Sequence, residues 1–248
     1  MRILISPAKK MNLDRDSLPV LGLPQFLPQT QRLLAALQAM RPQELQALWK
    51  CSDAIAQLNL ERLQNMDLLH SLTPAILAYE GIQYRYMSPG VMASGQLDYL
   101  QEHLRIVSGF YGLLRPFDGV TPYRLEMQAK LSIDGEKDLY AFWGQGLAGQ
   151  LAKETDWVLN LASKEYSRAV TPYLPAASVL TCVFGQWKDG RVLEKGTACK
   201  MARGQMVRWL AEHGIAAPKD IQNFADLDYQ FHPELSGENQ YVFIQGGC

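Results

Sequence analysis

Residues 2–10 read Arg2-Ile3-Leu4-Ile5-Ser6-Pro7-Ala8-Lys9-Lys10. A short aliphatic run stops at a hydroxyl and a proline, so the pattern predicts a buried strand with a polar exit. In α/β folds the residues just beyond such a strand present ligand-binding groups. That makes Ser6 and Lys9 candidates, although the segment taken alone is equally an ordinary strand exit.

Working outward, helical and extended patterns interleave along the whole chain. Residues 11–28, rich in leucine and proline, read as a wrapped connection. Helices are predicted over 29–40, from Pro42 to near Trp49, after Ser52, and after Thr73-Pro74 to near Gly81. Leu97, Leu100, Leu104 and Val107 recur at three and four residues, predicting a helix that ends at Ser108-Gly109. Residues 122–127 read as extended, 139–153 as one helix and 157–161 as a strand. Asp189-Gly190 between 178–187 and 191–197 is a hairpin signal. That turn would set Cys182 opposite Thr197, one step from Cys199; two ordinary sheet cysteines are preferred to a disulfide. A helix over 202–213 and a strand over 240–244 complete the pattern. No repeat or linker interrupts it. The expectation is an α/β (mixed α+β) single domain over 1–245, with a mixed sheet, surrounding helices and a loose tail at 246–248.

The 248 residues are 48% hydrophobic and 20% charged, with a formal net charge of −1, as in an ordinary globular protein. A chain without a global basic field binds nucleic acid only through local clusters. Apolar runs fall short of the ~18 to 20 residues of a membrane helix, and the N-terminal run reads as a strand rather than a leader. No membrane association and a cytoplasmic location are therefore expected. Cys51, Cys182, Cys199 and Cys248 form no zinc spacing. The four histidines enter no Ser/His/Asp or Cys/His pattern, and Asp226, Asp228, His232 and Glu234 match no established metal motif. No cofactor, metal or obligate protein partner is expected.

Four further segments carry polar groups in suggestive patterns. In Ser108-Gly109-Phe110-Tyr111-Gly112-Leu113-Leu114-Arg115-Pro116, a helix runs into a turn with two glycines. Free N–H groups there suit phosphate oxygens, as in a helix-hairpin-helix, with Arg105, Arg115 and Arg124 nearby. A glycine C-cap explains the segment equally well. On an extended 122–127, Arg124 and Glu126 share a face, either as a simple ion pair or lining a cleft with Arg124 toward phosphate. Asn160, Ser163, Glu165 and Tyr166 form a polar rim beyond the 157–161 strand. There Asn160 is suited to a base edge and Tyr166 to stacking, while helix capping accounts for Ser163 alone. Arg203 lies four residues before Val207 and seven before Leu210, on the apolar face of its helix. A guanidinium there must be paired or point into a site, and Lys200 lies three residues before it.

These segments in order resemble the YaaA family of bacterial peroxide-stress proteins. The resemblance runs from Ser6-Pro7-Ala8-Lys9 through His103-Leu104-Arg105, 108–116, 122–127, Lys137-Asp138-Leu139-Tyr140 and Phe142-Trp143-Gly144. It continues through Asn160-Leu161-Ala162-Ser163, Glu165-Tyr166, Lys200 and Ala202-Arg203-Gly204. It implies a cytosolic protein of the hydrogen peroxide response that limits oxidative damage and free intracellular iron. It also implies a fold with a helix-hairpin-helix, mapping to 108–114, and a positively charged cleft that binds DNA. The implied DNA-binding set is Lys9, Arg105, Gly109, Gly112, Arg115, Arg124, Lys200 and Arg203. The expected pocket is Ser6, Glu126, Asn160, Ser163, Glu165 and Tyr166. Two positions depart from the family pattern: Met201 replaces an expected second lysine, and Asp228 an expected glycine before an aromatic. Two functions follow. One is a DNA-binding protein without chemistry of its own, contacting DNA independently of sequence. The alternative is an enzyme acting on a nucleobase or nucleotide in a pocket of Lys9, Asn160, Glu165, Lys200 and Arg203. Direct iron binding, with no ligand set, ranks last.

Overall fold

The fold is that of a computed structural model, which describes residues 1–246. Of the expected tail, Gly247 and Cys248 lie outside the described residues; Gly246 donates its N–H to the carbonyl of Asp228 (3.1 Å).

The opening run forms strand β1 (Arg2–Ile5), with Ile3, Leu4 and Ile5 fully buried. The connection after it is tied down by β2 (Lys10–Met11) and leads to α1 (Leu27–Gln38), α2 (Pro42–Trp49) and α3 (Asp53–Gln64). A compact stretch follows: β3 (Thr73–Pro74), α4 (Ala75–Ala78), β4 (Tyr79–Glu80) and α5 (Ile82–Met87). β2 pairs with β4, and β3 pairs with the later β7 (Gly119–Val120). Next come α6 (Ser94–His103), β5 (Leu104–Ser108) and β6 (Gly112–Leu114). Beyond β7 lie α7 (Leu139–Trp143), α8 (Gly146–Glu154), β8 (Val158–Asn160) and α9 (Lys164–Ser167). The hairpin β9 (Val179–Lys188) and β10 (Arg191–Leu193) leads into the long helix α10 (Gly196–His213). The described chain ends with α11 (Pro218–Ile221), β11 (Tyr229–Phe231) and β12 (Gln240–Gln245).

The main sheet runs β11-β12-β9-β8-β1-β5-β6, with β10 paired to β9. Its centre, β12-β9-β8-β1-β5, is parallel, and antiparallel β11, β10 and β6 finish it. Parallel strands are covered on both faces, which is why β1, β5 and β8 are continuous buried runs without polar alternation. The sheet makes the chain one α/β domain. Chain order reverses around β1, with β5 on one side and β8 on the other. Such a switch point opens a crevice beyond the carboxyl ends of the strands.

Several local readings need correction. The helix expected through Val107 ends at His103, and 104–108 is a parallel strand. A short apolar run fits either period, and β-branched Ile106 and Val107 favour the strand once β1 stands alongside. The helix-hairpin-helix expected at 108–114 is instead a buried β-hairpin, Val107 opposite Leu113 and Ser108 opposite Gly112. Gly109 faces the chain at 125–127 so closely that a Cβ would lie 2.7 Å from the Leu125 carbonyl oxygen. Its glycine serves packing rather than approach by a phosphate. The 139–153 helix breaks at Gly144, whose φ of 46° departs from a helix. The second hairpin strand stops at Leu193, paired with Gln186, so Cys182 has no Thr197 opposite it. Cys199 sits on α10 rather than in the sheet, donating its thiol to the Phe184 carbonyl (3.2 Å); both cysteines are free. Asp228 adopts φ 60°, the left-handed conformation open to the glycine expected there.

Candidate functional site

The crevice beyond β1 and β8 holds a cleft of about 530 Å³. Its floor joins segments far apart in sequence. The Ser163 N–H donates to Ser6 Oγ (2.9 Å), and the two hydroxyls lie 3.2 Å apart. Tyr84 donates its hydroxyl to the Ser6 carbonyl (3.0 Å). These bonds hold together the β1 exit, the β8 exit and α5.

The opposite wall is α10, laid against α5. Gly204 makes that approach feasible: a Cβ there would lie 2.1 Å from the Gln83 carbonyl oxygen. The close crossing sets Arg203 and Lys200 on one side of the cleft and Gln83 and Arg85 on the other. Arg203 has little exposed side chain and faces Glu194 only at 3.8 Å. Its Nε and the Nε2 of Gln83 are buried without a hydrogen-bond partner among the described residues.

A chain of charges abuts the cleft. Arg124 donates to the Trp49 carbonyl and to Glu126 (both 3.3 Å), and Glu126 meets Lys9 at 2.8 Å. The face shared by Arg124 and Glu126 is thus an ion pair that steadies Lys9. Glu165 accepts from the Gln128 N–H (3.3 Å). Burial is the main influence lifting its carboxyl above the usual range, reinforced by Glu126 and opposed by the Gln128 N–H and Lys9. Burial likewise drives the Tyr166 hydroxyl well up, keeping it a neutral phenol.

Of the candidates, Ser6, Lys9, Ser163, Glu165, Tyr166, Lys200 and Arg203 line the cleft, and Glu126 backs it through Lys9. The others sit elsewhere. Asn160 is buried beneath the rim, donating to the Thr181 hydroxyl (3.2 Å) and accepting from the Ala162 N–H (3.1 Å). Arg105 is 5% exposed and bound to Glu154 at 2.6 Å. Arg115 pairs with Asp118 at 2.9 Å, and Gly109 and Gly112 are buried in the β5–β6 hairpin.

Sequence reading missed Glu80, Gln83 and Arg85, which line the cleft together with Lys10, the second cation of the opening segment. All three lie on or beside the unforeseen helix α5. Gly81 before Ile82 was the available signal: a Cβ there would come within 3.0 Å of Ala8. Beside the cleft, a second groove of about 450 Å³ runs between α5 and α10, bordered by Arg85, Arg208 and Met201. The lysine absent at 201 would have added a cation to this groove. Among the described residues no helix is long and apolar enough to cross a membrane. Among the described residues no group of three or more His, Cys, Asp or Glu could hold a metal ion.

The family model for peroxide stress protein YaaA matches residues 1–235. Curated relatives called UPF0246 proteins align over almost their whole length. One from Lachnoclostridium phytofermentans is 51% identical over 99% of this chain and 97% of its own. One from Lactiplantibacillus plantarum is 52% identical over 98% and 99%, and one from Pediococcus pentosaceus 51% over 99% and 98%. With the family model spanning nearly the whole chain and relatives at half identity along its full length, this chain belongs to the peroxide stress protein YaaA family.

Proposed function

We propose that the chain is a DNA-binding protein of the peroxide-stress response, holding DNA through the cleft beyond β1 and β8. The observation that carries the reading is the charge of that cleft. Lys9, Lys10, Arg85, Lys200 and Arg203 line it against Glu80 and Glu165, with Glu126 paired to Lys9 and Glu194 3.8 Å from Arg203, which leaves an excess of cations in a chain whose net charge is −1. Such a concentration of cations suits phosphates, which position a strand without reading its sequence.

A second feature supports the reading. The helix-hairpin-helix implied by the family fits α5 and α6, joined through the 3-10 turn Pro89–Val91, better than it fits 108–114. Gly90 is exposed, a Cβ on it would meet nothing within 4 Å, and Val91 is 74% exposed. A phosphate can therefore approach this turn, and Arg85 links it to the cleft. The role in limiting oxidative damage and free iron that the resemblance implies belongs to this proposal.

The alternative enzyme reading draws on Glu165, whose elevated carboxyl suits acid–base work. A lysine that forms a Schiff base with its substrate needs an apolar setting, whereas Lys9 pairs with Glu126 and is 63% exposed.

The test is fluorescence anisotropy of labelled duplex and single-stranded DNA across a salt series. We expect log K to fall linearly with log salt, with the slope reduced by about one for Lys200→Ala and by a similar step for Arg203→Ala. Absence of binding by every DNA form at low salt would overturn the reading.

A further inference from the structure

We propose that the cleft is also a base-recognition site, taking one nucleobase with its attached phosphate. Gln83 Nε2 donates to an acceptor on the base edge, and the cations at the mouth hold the phosphate. This deepens the DNA-binding reading and rests on it for the source of the base.

The starting point is Gln83. It is 6% exposed and lines the cleft, yet its Nε2 has no partner among the described residues. A buried amide without a partner costs stability, and buried polar groups are ordinarily paired. The close crossing at Gly204 holds the Gln83 backbone. The amide nitrogen lies just beneath the cleft surface, so a turn of the side chain brings an unpaired donor to a ligand acceptor.

Four other features fit the same occupant. The volume of about 530 Å³ suits a single small molecule such as one base with its phosphate. The largely buried Tyr84 and Tyr166 present their ring edges to the cleft, with the Tyr84 hydroxyl already engaged by Ser6. Glu165 adds a carboxyl group that faces base donors in one protonation state and base acceptors in the other. Arg203 leaves a second buried donor, Nε, without a partner beside the exposed ammonium of Lys200. Of the five buried unpartnered side-chain atoms among the described residues, Gln83 Nε2 and Arg203 Nε lie in the cleft. Arg124 Nε lies in the ion-pair chain behind it. An aromatic ring system edged with acceptors and attached to a phosphate is complementary to donors inside and cations outside. An inorganic anion would leave the inner amide unanswered.

The experiment compares the full chain with its Gln83→Leu and Gln83→Met variants, either of which removes the amide while keeping an apolar side chain of similar reach. Three probes are titrated: a short single-stranded oligodeoxynucleotide, a strand of equal length built from abasic units, and free nucleoside 5′-monophosphates. We expect the wild type to bind the base-bearing strand roughly tenfold more tightly than the abasic one, the scale of one base contact. In both variants that gap should shrink, with a melting temperature equal to or above wild type, because an unpaired buried amide has been removed. Equal wild-type affinity for the two strands would overturn base recognition while leaving the phosphate-binding reading intact. A gap that persists in both variants, or melting temperatures that fall in both, would show Gln83 to be structural and overturn the proposal. Tight, Gln83-dependent binding of free monophosphates with no binding of either strand would keep the base site, assign it to soluble nucleotides and defeat the DNA reading. Failure of all three probes would defeat both.

Discussion

The β5–β6 hairpin and the cleft beyond β1 and β8 are built from the same vocabulary of arginine, glycine, serine and tyrosine, and they use it in opposite ways. In the hairpin the polar groups find partners within the fold. Arg105 binds Glu154 and donates to the carbonyls of Gln101, Glu102 and Leu104, closing the end of α6. Ser108 Oγ accepts the N–H groups of Phe110 and Tyr111 (3.1 and 2.9 Å) and meets the Tyr123 hydroxyl at 2.6 Å. Arg115 is held by Asp118 through both backbone and side chain. In the cleft, Gln83 and Arg203 keep donors without partners, and Lys200 stands exposed. Satisfied groups mark structure; groups left open at some cost to stability mark a site. Residue type alone does not separate the two.

The comparison is sharpest where the two regions fail differently. Gly204→Ala drives a Cβ into the Gln83 carbonyl and forces α10 away from α5. We expect a loss of about 3 kcal/mol, the upper range for overpacking, by denaturant unfolding. DNA binding at a temperature where the variant is still folded should fall with it, because both walls move. Retained stability and affinity would mean that the crossing does not hold the cleft together.

Arg105→Met attacks the hairpin side. It leaves Glu154 with only Arg2 and Gln150 as partners; burial pushes this carboxyl up while hydrogen bonds from Gln150, Arg2 and Arg105, with the Arg105 charge, hold it below the usual value. Breaking a buried pair costs about 3 kcal/mol, but the folded variant should bind DNA as wild type does. The pH dependence has a definite sign. A carboxyl with a depressed folded pKa contributes stability above its unfolded pKa and loses it as pH falls through the folded value. Urea midpoints of wild type should therefore fall on acidification, and the variant should lose less. A large drop in affinity at unchanged stability would return Arg105 to the binding set and erase the contrast.

The smallest effect belongs to Glu165. Its carboxyl is raised chiefly by burial, so its contribution to stability is full at low pH and lost as pH rises through the folded value. The same protonation removes a negative charge from the cleft. Affinity for DNA should rise as the medium is acidified from neutral through the titration of this carboxyl, which lies above the usual carboxylate value, and Glu165→Gln should flatten that rise while being neutral or slightly stabilising at neutral pH. An unchanged pH profile in the variant would place the titrating group elsewhere.

Local chemistry made part of this legible. The aliphatic run ending at Ser6-Pro7 specifies β1. Asp189-Gly190 specifies its hairpin, both residues at the positive φ such a turn requires. The placement of Arg203 on an apolar helix face signalled a guanidinium that was not ordinary surface decoration. Where two periods fitted the same short run, as at 97–107, sequence could not decide between helix and strand. The deciding term was pairing with β1, about a hundred residues away.

What the sequence determined by itself is what neighbouring residues settle: the α/β class, the first strand, the hairpin turn, much of the long helix α10 and the family pattern. The tertiary structure alone decided which polar residues share a site. Ser6 meets Ser163 because β1 and β8 are adjacent in the sheet, and Gln83 enters the cleft because Gly204 lets two helices close on each other. Asn160 and Arg105 stay out of it because Thr181 and Glu154 claim their side chains. Whether a buried donor is satisfied depends on atoms brought to it by folding, and distance along the chain carries no record of them.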